Sequence, residues 1–575
     1  MTSLKNIFPY EPRKGQVKLV KDIVSTIEKG NQLLIHAPTG IGKTICALTA
    51  ARYTKTKCIF VTPRQFQHKI VIDSMKDIKD GKVISIIGKQ DMCINDDIKT
   101  SKGFYEACLN SKCPYKYKND YYETPEKSEY VEDFIEYCRA HECCPYYASI
   151  QEAGRADIII ANYRHIFDPA ISKIFFEQIG VNEIDCVLIV DEAHNLPDVL
   201  RSIGSMTVTE NTINRAMNEL RYMKNIMLGD RANKILGNKI LFKIMDIVSM
   251  KKEILDKDRL NILQDDVNLL HTVGRLILKE KKDSGILAPV SYVQRVAEFF
   301  SMWLDEDEVA HIRILERLPS MLKLNIKCLE PRILSDKLLR FGSCVLMSGT
   351  LEPIQYFKDV LGLDTAILRK YPSVFPVEHR TTVIHNDLTT AYSSRSDRTY
   401  KDYTNRIGRI CNRTKGNVIA FFPSYSIMNK VNDCLIDMKK KYNMIFEDDI
   451  ITVGGRKVIS ESKKILPNIH EILESRDNLV LGVMRGSLSE GIDYPDNLLS
   501  SVIICGFPYP AMDVEQKCLT EYYNVKKGNG FVYASLFPTV NVILQTMGRP
   551  IRSPTDKATI HLIDKRFEQY ERYFK

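Results

Sequence analysis

One short loop near the N-terminus limits the fold of this chain more than any other part of its sequence. The largely apolar segment LLIH at residues 33–36 predicts a strand, and the sequence APTGIG at residues 37–42 predicts a tight loop. A helix is expected from Lys43 onward. The loop keeps the spacing of the Walker A pattern, with Ala37 in place of its first glycine. A strand, loop and helix in this order are typical of a parallel α/β fold that binds phosphate groups. A plain glycine turn before a helix is the alternative.

The residues of this loop have separate expected roles in binding a nucleoside triphosphate. Its backbone amides and the helix N-terminus can cradle the phosphates. Lys43 can reach the β- and γ-phosphate oxygens, and the hydroxyl of Thr44 can bind magnesium. We therefore expect ATP and Mg²⁺ as ligands. The predicted nucleotide-binding residues of the loop are Ala37, Thr39, Gly40, Gly42, Lys43 and Thr44.

A second motif follows a second apolar run. Residues 186–190 are apolar throughout, and Asp191 and Glu192 come directly after them in the sequence DEAH. Such a run predicts a parallel strand buried on both faces, and side chains at its C-terminal end face the crevice in which ligands bind. Asp191 is then expected to bind magnesium, and Glu192 to orient or activate the attacking water. Alone, this segment could be a polar strand end, but with the phosphate loop it predicts nucleotide hydrolysis.

Cysteines crowd into one region of the chain. Because the N-terminus shows no secretion signal, such crowding indicates a metal site before disulfides. Four thiolates suit either a 4Fe-4S cluster or a zinc ion, and the ligands alone do not distinguish the two. A group of buried free cysteines is the alternative. Six of the 15 cysteines lie in this region: Cys93, Cys108, Cys113, Cys138, Cys143 and Cys144.

The size and composition of the chain indicate several domains with buried cores. Its 575 residues exceed what one hydrophobic core supports, and 44% hydrophobic with 27% charged residues is typical of globular proteins. No segment approaches the roughly 18 apolar residues of a membrane span. We therefore expect no membrane contact and a cytoplasmic location, or a nuclear one if the chain is eukaryotic. The net charge of +9 is compatible with nucleic-acid binding but does not establish it.

Together the two motifs resemble those of superfamily 2 helicases, and the resemblance continues along the chain. The sequences GKQDMC and CPYY at either end of the cysteine-rich region are similar to the XPD family of iron-sulfur helicases. That family resemblance implies a 4Fe-4S cluster held by Cys93, Cys108, Cys113 and Cys144, with Cys143 or Cys138 as the alternative fourth ligand. Four further segments are similar to helicase motifs III, IV, V and VI, in that order: LMSGTLEP (346–353), IAFFPSY (419–425), RGSLSEGIDYP (485–495) and QTMGRPIR (545–552).

The resemblance also implies roles for residues outside the phosphate loop. Ser348 and Thr350 would link the ATP and DNA sites, and a second domain would supply arginines across the cleft. A planar guanidinium stabilises charge that spreads over the phosphoryl oxygens, so closing two domains can gate hydrolysis. Pro550 departs from the family pattern and is expected to affect how a following arginine is presented. The further nucleotide-site residues implied are Arg13, Gln16, His194, Asp493, Gln545, Arg549 and Arg552.

The expected fold class is α/β, with two RecA-like P-loop motor domains and two insertions in the first. Apolar stripes at spacings of three and four over residues 213–227 and 293–304 predict helices, which the resemblance to XPD implies form an Arch domain. Strand-like segments return from about residue 381. The expected boundaries are 1–90, 146–204 and 336–365 for the first motor domain, 91–145 for the iron-sulfur domain, 205–335 for the Arch and 366–575 for the second motor domain.

The function implied by the resemblance is that of an ATP-dependent DNA helicase. Such an enzyme moves 5′ to 3′ on single-stranded DNA, unwinds forked DNA and acts in nucleotide excision repair, with repair-protein partners that the sequence does not identify. We expect a monomer, and the end of the chain at Lys575, soon after DKRF, favours a self-contained prokaryotic enzyme. Two alternatives remain. One is a DinG-like helicase acting on replication intermediates or DNA-RNA hybrids, and the other is a zinc-stabilised DNA clamp that nucleotide switches without unwinding.

Overall fold

The computed structural model describes most of the chain. Among the described residues, no helix is both long and apolar enough to cross a membrane. The described residues are 8–38, 40–78, 81–101, 103–116, 129–247, 251–286, 289–305, 307, 309–441, 452–453, 456–461, 469–474, 477–489, 492, 494, 496–551 and 553–574.

The strands are numbered in chain order. They are β1 (Gln32–His36), β2 (Lys57–Thr62), β3 (Val83–Ser85), β4 (Ile158–Asn162), β5 (Cys186–Val190), β6 (Met206–Thr209), β7 (Lys252–Ile254), β8 (His311–Leu318), β9 (Met321–Cys328), β10 (Ser343–Ser348), β11 (Ile367–Lys370), β12 (Arg380–His385), β13 (Val418–Phe422), β14 (Thr452–Val453), β15 (Arg456–Ser460), β16 (Asn478–Val483), β17 (Ser501–Cys505) and β18 (Ala558–Ile563).

The helices are numbered in the same way. They are α1 (Gln16–Glu28), α2 (Lys43–Thr54), α3 (Phe66–Ile78), α4 (Asp96–Lys99), α5 (Phe104–Asn110), α6 (Val131–Ala140), α7 (Pro145–Ala153), α8 (Tyr163–Phe167), α9 (Pro169–Ile179), α10 (Leu196–Ile203), α11 (Glu210–Leu220), α12 (Ile226–Lys234), α13 (Phe242–Ile247), α14 (Gln264–Asp283), α15 (Tyr292–Asp305), α16 (Arg332–Ser335), α17 (Ile354–Val360), α18 (Asp397–Arg413), α19 (Tyr425–Lys441), α20 (Ile469–Glu474), α21 (Val514–Lys527), α22 (Phe537–Met547) and α23 (Arg566–Gln569).

The first sheet is parallel, with the strand order β11-β1-β10-β5-β2-β4-β3. Helices α2 and α3 connect β1 to β2 and β2 to β3, because two parallel strands of one sheet need a crossover connection. Every residue of β5 is buried, in agreement with the apolar run that predicted this strand. Because β11 pairs with β1, the sheet reaches Lys370, beyond the boundary expected at residue 365. We therefore propose that the first motor domain ends after β11.

The second sheet has the strand order β12-β18-β17-β13-β16-β15-β14, and only its last pair, β15 with β14, is antiparallel. Strands β13, β16 and β17 are buried along their whole length, as strands covered by helices on both faces are. The two parallel sheets confirm the predicted α/β class with two RecA-like domains.

The cysteine-rich insertion lies between β3 and β4 and contains α4 to α7. Helices α4 and α5 of this insertion surround a small separate core, called the distal core below. It consists of Ile98, Phe104 and Ala107 together with Cys108 and Cys113. So few apolar side chains bury little surface, and such small units commonly need a further crosslink to be stable.

The insertion between β5 and β10 is only partly helical, which corrects the prediction of a helical Arch. It also contains an antiparallel sheet in the order β6-β9-β8-β7. The predicted helix at 293–304 is present as α15, and its Trp303 is fully buried. The stripe at 213–227 is split, because α11 ends at Leu220, a turn follows, and Met227 lies in α12 with 79% of its surface exposed.

Candidate nucleotide site and cysteine cluster

The phosphate loop joins β1 to α2 as the sequence predicted. Gly40 and Gly42 both adopt left-handed conformations, with φ of 84° and 78°, which favour glycine. The Lys43 Nζ donates to the carbonyl of Ala37 at 3.1 Å, across the mouth of the loop. Thr44 follows in the first turn of α2 and is half-buried. The loop thus brings the N-terminus of α2 and one cation together, a combination suited to binding phosphate.

Arg13 and Gln16, which the family resemblance implied for the nucleotide site, both contact this loop. Arg13 Nη1 donates to the carbonyl of Gly40 at 3.0 Å, and Gln16 Nε2 donates to the carbonyl of Ile41 at 2.9 Å. The Arg13 amide in turn donates to Gln16 Oε1 at 2.6 Å. A Cβ on Gly42 would lie 2.7 Å from Gln16 Nε2, so close packing also requires glycine there. The start of α1 and the phosphate loop therefore form one unit.

The two carboxylates of the DEAH sequence lie at the C-terminal end of β5. Glu192 has φ of 48°, an uncommon conformation for a residue other than glycine. The hydroxyl of Tyr163 donates to the carbonyl of Asp191 at 2.5 Å and to that of Glu192 at 3.0 Å. Asn195 Nδ2 donates to the Glu192 carbonyl at 3.2 Å. These donors hold the turn that aims the two carboxylates. Tyr163 belongs to α8 and was not among the site residues predicted from the sequence.

The two neighbouring carboxylates have opposite pKa shifts. Burial raises the pKa of Asp191 to about 7, and the charge of Glu192 adds to this increase. Burial would raise the pKa of Glu192 as well, but the hydrogen bond with His194 and the charges of Lys43 and Arg549 outweigh it. The pKa of Glu192 is therefore well below its usual value, and its carboxylate is ionised at neutral pH. Because Arg549 belongs to the second motor domain, its charge shows that this domain also helps to lower the pKa of Glu192.

A line of hydrogen bonds joins the DEAH sequence to the second motor domain. Ser348 Oγ donates to Glu192 Oε2 at 3.2 Å, and His194 Nδ1 lies 2.8 Å from Ser348 Oγ. Gln545 Nε2, on α22, lies 3.5 Å from His194 Nε2. The Thr350 amide donates to Ser348 Oγ at 3.1 Å. Ser348 has one hydroxyl proton, and it donates this proton to the Glu192 carboxylate. The Ser348 oxygen therefore accepts a hydrogen bond from His194 Nδ1, and His194 Nε2 is left to accept one from Gln545.

The end of α22 places Arg549 against the same cleft. Arg549 is 7% exposed, and its Nη1 donates to the carbonyl of Ile492 at 3.3 Å. Pro550 lies after the end of α22, so it does not interrupt the helix that carries Gln545. Three predicted site residues lie outside the described residues: Thr39, Asp493 and Arg552.

The structure brings the four predicted cluster cysteines into one neighbourhood. Burial raises the pKa of the Cys93 thiol, and the nearby thiols of Cys108 and Cys113 add to the increase. Burial likewise raises the pKa of Cys144 to about 11, with Cys108 and Cys93 adding to it. Asn95 Nδ2 lies 3.8 Å from the Cys113 sulfur. All four thiols are free, a donor set that suits an iron-sulfur cluster or zinc.

Cys143 and Cys138 are hydrogen-bonded to each other and are not among these four thiols. The Cys143 amide donates to the Cys138 carbonyl at 2.9 Å, and a hydrogen bond between the two side chains helps to lower the pKa of Cys143 to about 7. Both are packed in the main core of the first motor domain. Within the part of the chain that the structure describes, no group of three or more His, Cys, Asp or Glu side chains is arranged to hold a metal ion.

A phosphate loop on one parallel sheet, faced by a glutamine and an arginine from a second, defines a two-domain helicase motor. Residues 64–213 match the DEAD_2 family, and residues 407–575 match the family described as Helicase C-terminal domain. The chain is 26% identical to the ATP-dependent DNA helicase XPD of Sulfolobus acidocaldarius, over 97% of this chain and 96% of that protein. Along nearly its whole length the chain is therefore similar to XPD helicases, and it carries the DEAD_2 and helicase C-terminal domains.

Other relatives and solved structures agree with this assignment. The chain is 24% identical to the ATP-dependent DNA helicase CHL1 of Candida glabrata, over 88% of this chain and 67% of that protein. A solved XPD helicase structure superposes with a TM-score of 0.70 at 22% identity, over 98% of both chains. The Xpd4 structure from S. tokodaii gives a TM-score of 0.65 at 18% identity, again over 98% of both chains. These structures establish that the fold is shared along the whole chain.

Proposed function

We propose that this chain is an ATP-dependent DNA helicase, in which closing the cleft between two motor domains drives movement along a single strand. The observation that carries the proposal is the line of contacts from Glu192 through Ser348 and His194 to Gln545. This line begins at the group expected to act on water and ends in the other motor domain. A change at Glu192 during hydrolysis can therefore be transmitted to Gln545 and move the second motor domain.

Each residue of the nucleotide site has a separate proposed role in ATP hydrolysis. Lys43 and the loop amides bind the phosphates of ATP, and Thr44 and Asp191 bind its magnesium ion. Glu192, ionised because His194 and nearby cations hold its pKa low, orients the attacking water and accepts its proton. Arg549 stabilises the charge that spreads over the phosphoryl oxygens, and Arg552 is proposed to share this role.

Movement on DNA follows from this arrangement. ATP closes the cleft, and hydrolysis with release of product reopens it, so a strand held by both motor domains advances once per cycle. The resemblance to XPD supports 5′ to 3′ movement on single-stranded and forked DNA and a role in nucleotide excision repair. We propose both for this chain, acting as a monomer. A location in the cytoplasm, or in the nucleus of a eukaryote, accords with a DNA substrate.

We further propose that Cys93, Cys108, Cys113 and Cys144 hold a 4Fe-4S cluster. Four free thiols in one neighbourhood supply the ligands that such a cluster needs. The sequences GKQDMC and CPYY at either end of this region, which resemble those of the XPD family, favour the cluster over zinc. When bound, the cluster supplies a crosslink, and these residues tie the small distal core to α7.

ATP hydrolysis by wild-type protein, with and without single-stranded DNA, tests the proposal directly. Lys43→Ala is expected to abolish hydrolysis while DNA binding is largely kept, because the lysine contacts phosphate and not the strand. Lys21→Ala, an exposed lysine on α1, is the matched control and should behave as wild type. Wild-type turnover in Lys43→Ala would exclude the proposed phosphate site.

A further inference from the structure

The ring of Phe375 lies directly against the phosphate loop. A Cβ built on Gly40 would lie 2.0 Å from Phe375 Cζ and 2.6 Å from its Cε2, so the ring occupies the space that any side chain at residue 40 would need. Phe375 is only 7% exposed. The ring therefore packs directly beside the loop that is expected to hold the phosphates of a nucleotide.

Contacts on the first motor domain hold the ring in place. Phe375 belongs to the linker between β11 and β12, which leads from the first sheet into the second. At the start of this linker, the Tyr371 amide donates to the His36 carbonyl at 2.9 Å, and the Tyr371 hydroxyl donates to Asp22 Oδ2 at 2.5 Å. The Phe375 amide donates to Ser373 Oγ at 3.2 Å. Displacing the ring would disturb this anchored segment, which favours direct contact with the nucleotide.

The chemistry of the ring indicates which part of the nucleotide it meets. A phenyl ring offers no charge to a triphosphate, but aromatic rings and guanidinium planes both pack well against the faces of bases. Arg13, which is exposed, binds the carbonyl of Gly40, the residue that the ring of Phe375 also contacts. An aromatic ring and a planar cation thus converge on one residue of the phosphate loop.

We propose that Phe375 contacts the nucleoside part of ATP and, with Arg13, forms the base end of the nucleotide site. This inference rests on the proposed ATPase function and deepens it. Because the linker continues into β12, the same contact makes nucleoside binding sensitive to the position of the second motor domain. The helicase would then bind its nucleotide through three parts of the chain: the phosphate loop, the start of α1 and the interdomain linker.

The test compares a nucleotide with a ligand that has phosphates alone. KM and kcat for ATP are measured for wild type, Phe375→Ala and Phe375→Tyr, with inorganic tripolyphosphate as a competitive inhibitor. Phe242→Ala, which removes a ring that is 65% exposed in the Arch, is the control. In Phe375→Ala we expect KM for ATP to rise about tenfold or more, with kcat and the inhibition constant of tripolyphosphate largely kept. Phe375→Tyr keeps the ring and should restore KM.

Three results would overturn the inference. An unchanged KM in Phe375→Ala would show that the ring does not contact the nucleotide, and a lower KM would identify the ring as a plug that ATP displaces. Equal weakening of ATP and tripolyphosphate would show a distorted phosphate loop instead of a lost nucleoside contact. A wild-type protein that hydrolyses no ATP would overturn the proposed function and this inference with it, so the two failures are distinguishable.

Discussion

The pKa values of two adjacent carboxylates at the end of β5 are shifted in opposite directions, and this difference favours Glu192 as the base. Neighbouring titratable groups whose pKa values are pushed apart by their surroundings often divide acid and base roles between them. Glu192 is held ionised because the hydrogen bond with His194 and nearby cations outweigh burial. An ionised carboxylate is the form that can accept a proton from water, so Glu192 and not Asp191 is the expected base.

Glu192→Gln tests this assignment, because it removes the charge and keeps the shape. We expect kcat for ATP hydrolysis to fall by about 10²- to 10⁴-fold, the usual contribution of a general base, while ATP still binds. Steady-state hydrolysis and equilibrium nucleotide binding measure the two effects. Glu177→Gln, on the exposed face of α9, is the matched control. Near-normal kcat in Glu192→Gln would assign the base to another group.

The adjacent cysteines Cys143 and Cys144 allow the proposed cluster ligands to be tested by single substitutions. The thiol of Cys144 lies close enough to Cys93 and Cys108 for them to raise its pKa. The thiol of Cys143 is hydrogen-bonded to Cys138 in the core of the motor domain. Iron and acid-labile sulfide are measured in protein purified without oxygen. Wild type is expected to hold about four irons with matching sulfide, Cys144→Ser to lose them, and Cys143→Ser to keep them. Iron loss in Cys143→Ser alone would contradict the ligand assignment, and stoichiometric zinc without sulfide would contradict the cluster.

At the scale of elements, α8 supports the DEAH turn, although α8 follows β4 and β2 lies between β4 and β5 in the sheet. Tyr163 is 3% exposed, and its hydroxyl donates to two carbonyls at the end of β5. Tyr163→Phe leaves the packing intact but removes this donor. We expect the free energy of unfolding to fall by about 1–3 kcal/mol, the cost of a buried polar group without its partner, together with a lower kcat.

Denaturant unfolding followed by circular dichroism measures the stability of Tyr163→Phe. Tyr222→Phe is the control, because Tyr222 is 86% exposed and the same hydroxyl is removed from a side chain in solvent. Equal midpoints for the two variants would show that the α8 hydroxyl does not stabilise the turn.

The elements that the sequence predicted well are those with a local signature. The run at 186–190 became β5 because a strand covered on both faces is apolar throughout, and the phosphate loop carries its own spacing. The antiparallel sheet of the Arch was missed, although β8 and β9 have mixed buried and exposed positions along adjacent strands. Tyr163 and Phe375 have no local pattern at all, because tertiary packing alone brings them to the site.

At the scale of the whole molecule, the two motor domains and the Arch meet around α21. Arg201, on α10, is 14% exposed and donates to the hydroxyl of Tyr523 on α21 at 2.8 Å. The Tyr533 hydroxyl donates to Asp359 at 2.5 Å, and Lys252 of the Arch sheet pairs with Asp513 at 2.7 Å. Contacts away from the nucleotide site therefore also link the domains that must move together.

Arg201→Ala tests whether these contacts transmit movement. The substitution removes a nearly buried cation that joins α10 to α21 but leaves the nucleotide site untouched. We expect strand displacement per ATP hydrolysed to fall by about tenfold, because coupling between packed elements is typically worth 1–3 kcal/mol. The exposed Arg398→Ala is the control. An unchanged ratio of displaced strand to hydrolysed ATP would contradict a coupling role.

The most direct test of the account is strand displacement on forked DNA with ATP and Mg²⁺. We predict displacement of a fork with a 5′ single-stranded tail, little displacement of one with a 3′ tail, and none by Lys43→Ala, because hydrolysis must drive movement in one direction. A protein that binds the fork and hydrolyses ATP but displaces no strand would be a nucleotide-switched clamp. Preferential displacement of DNA-RNA forks would favour the DinG-like alternative, and displacement without hydrolysis would contradict the motor mechanism itself.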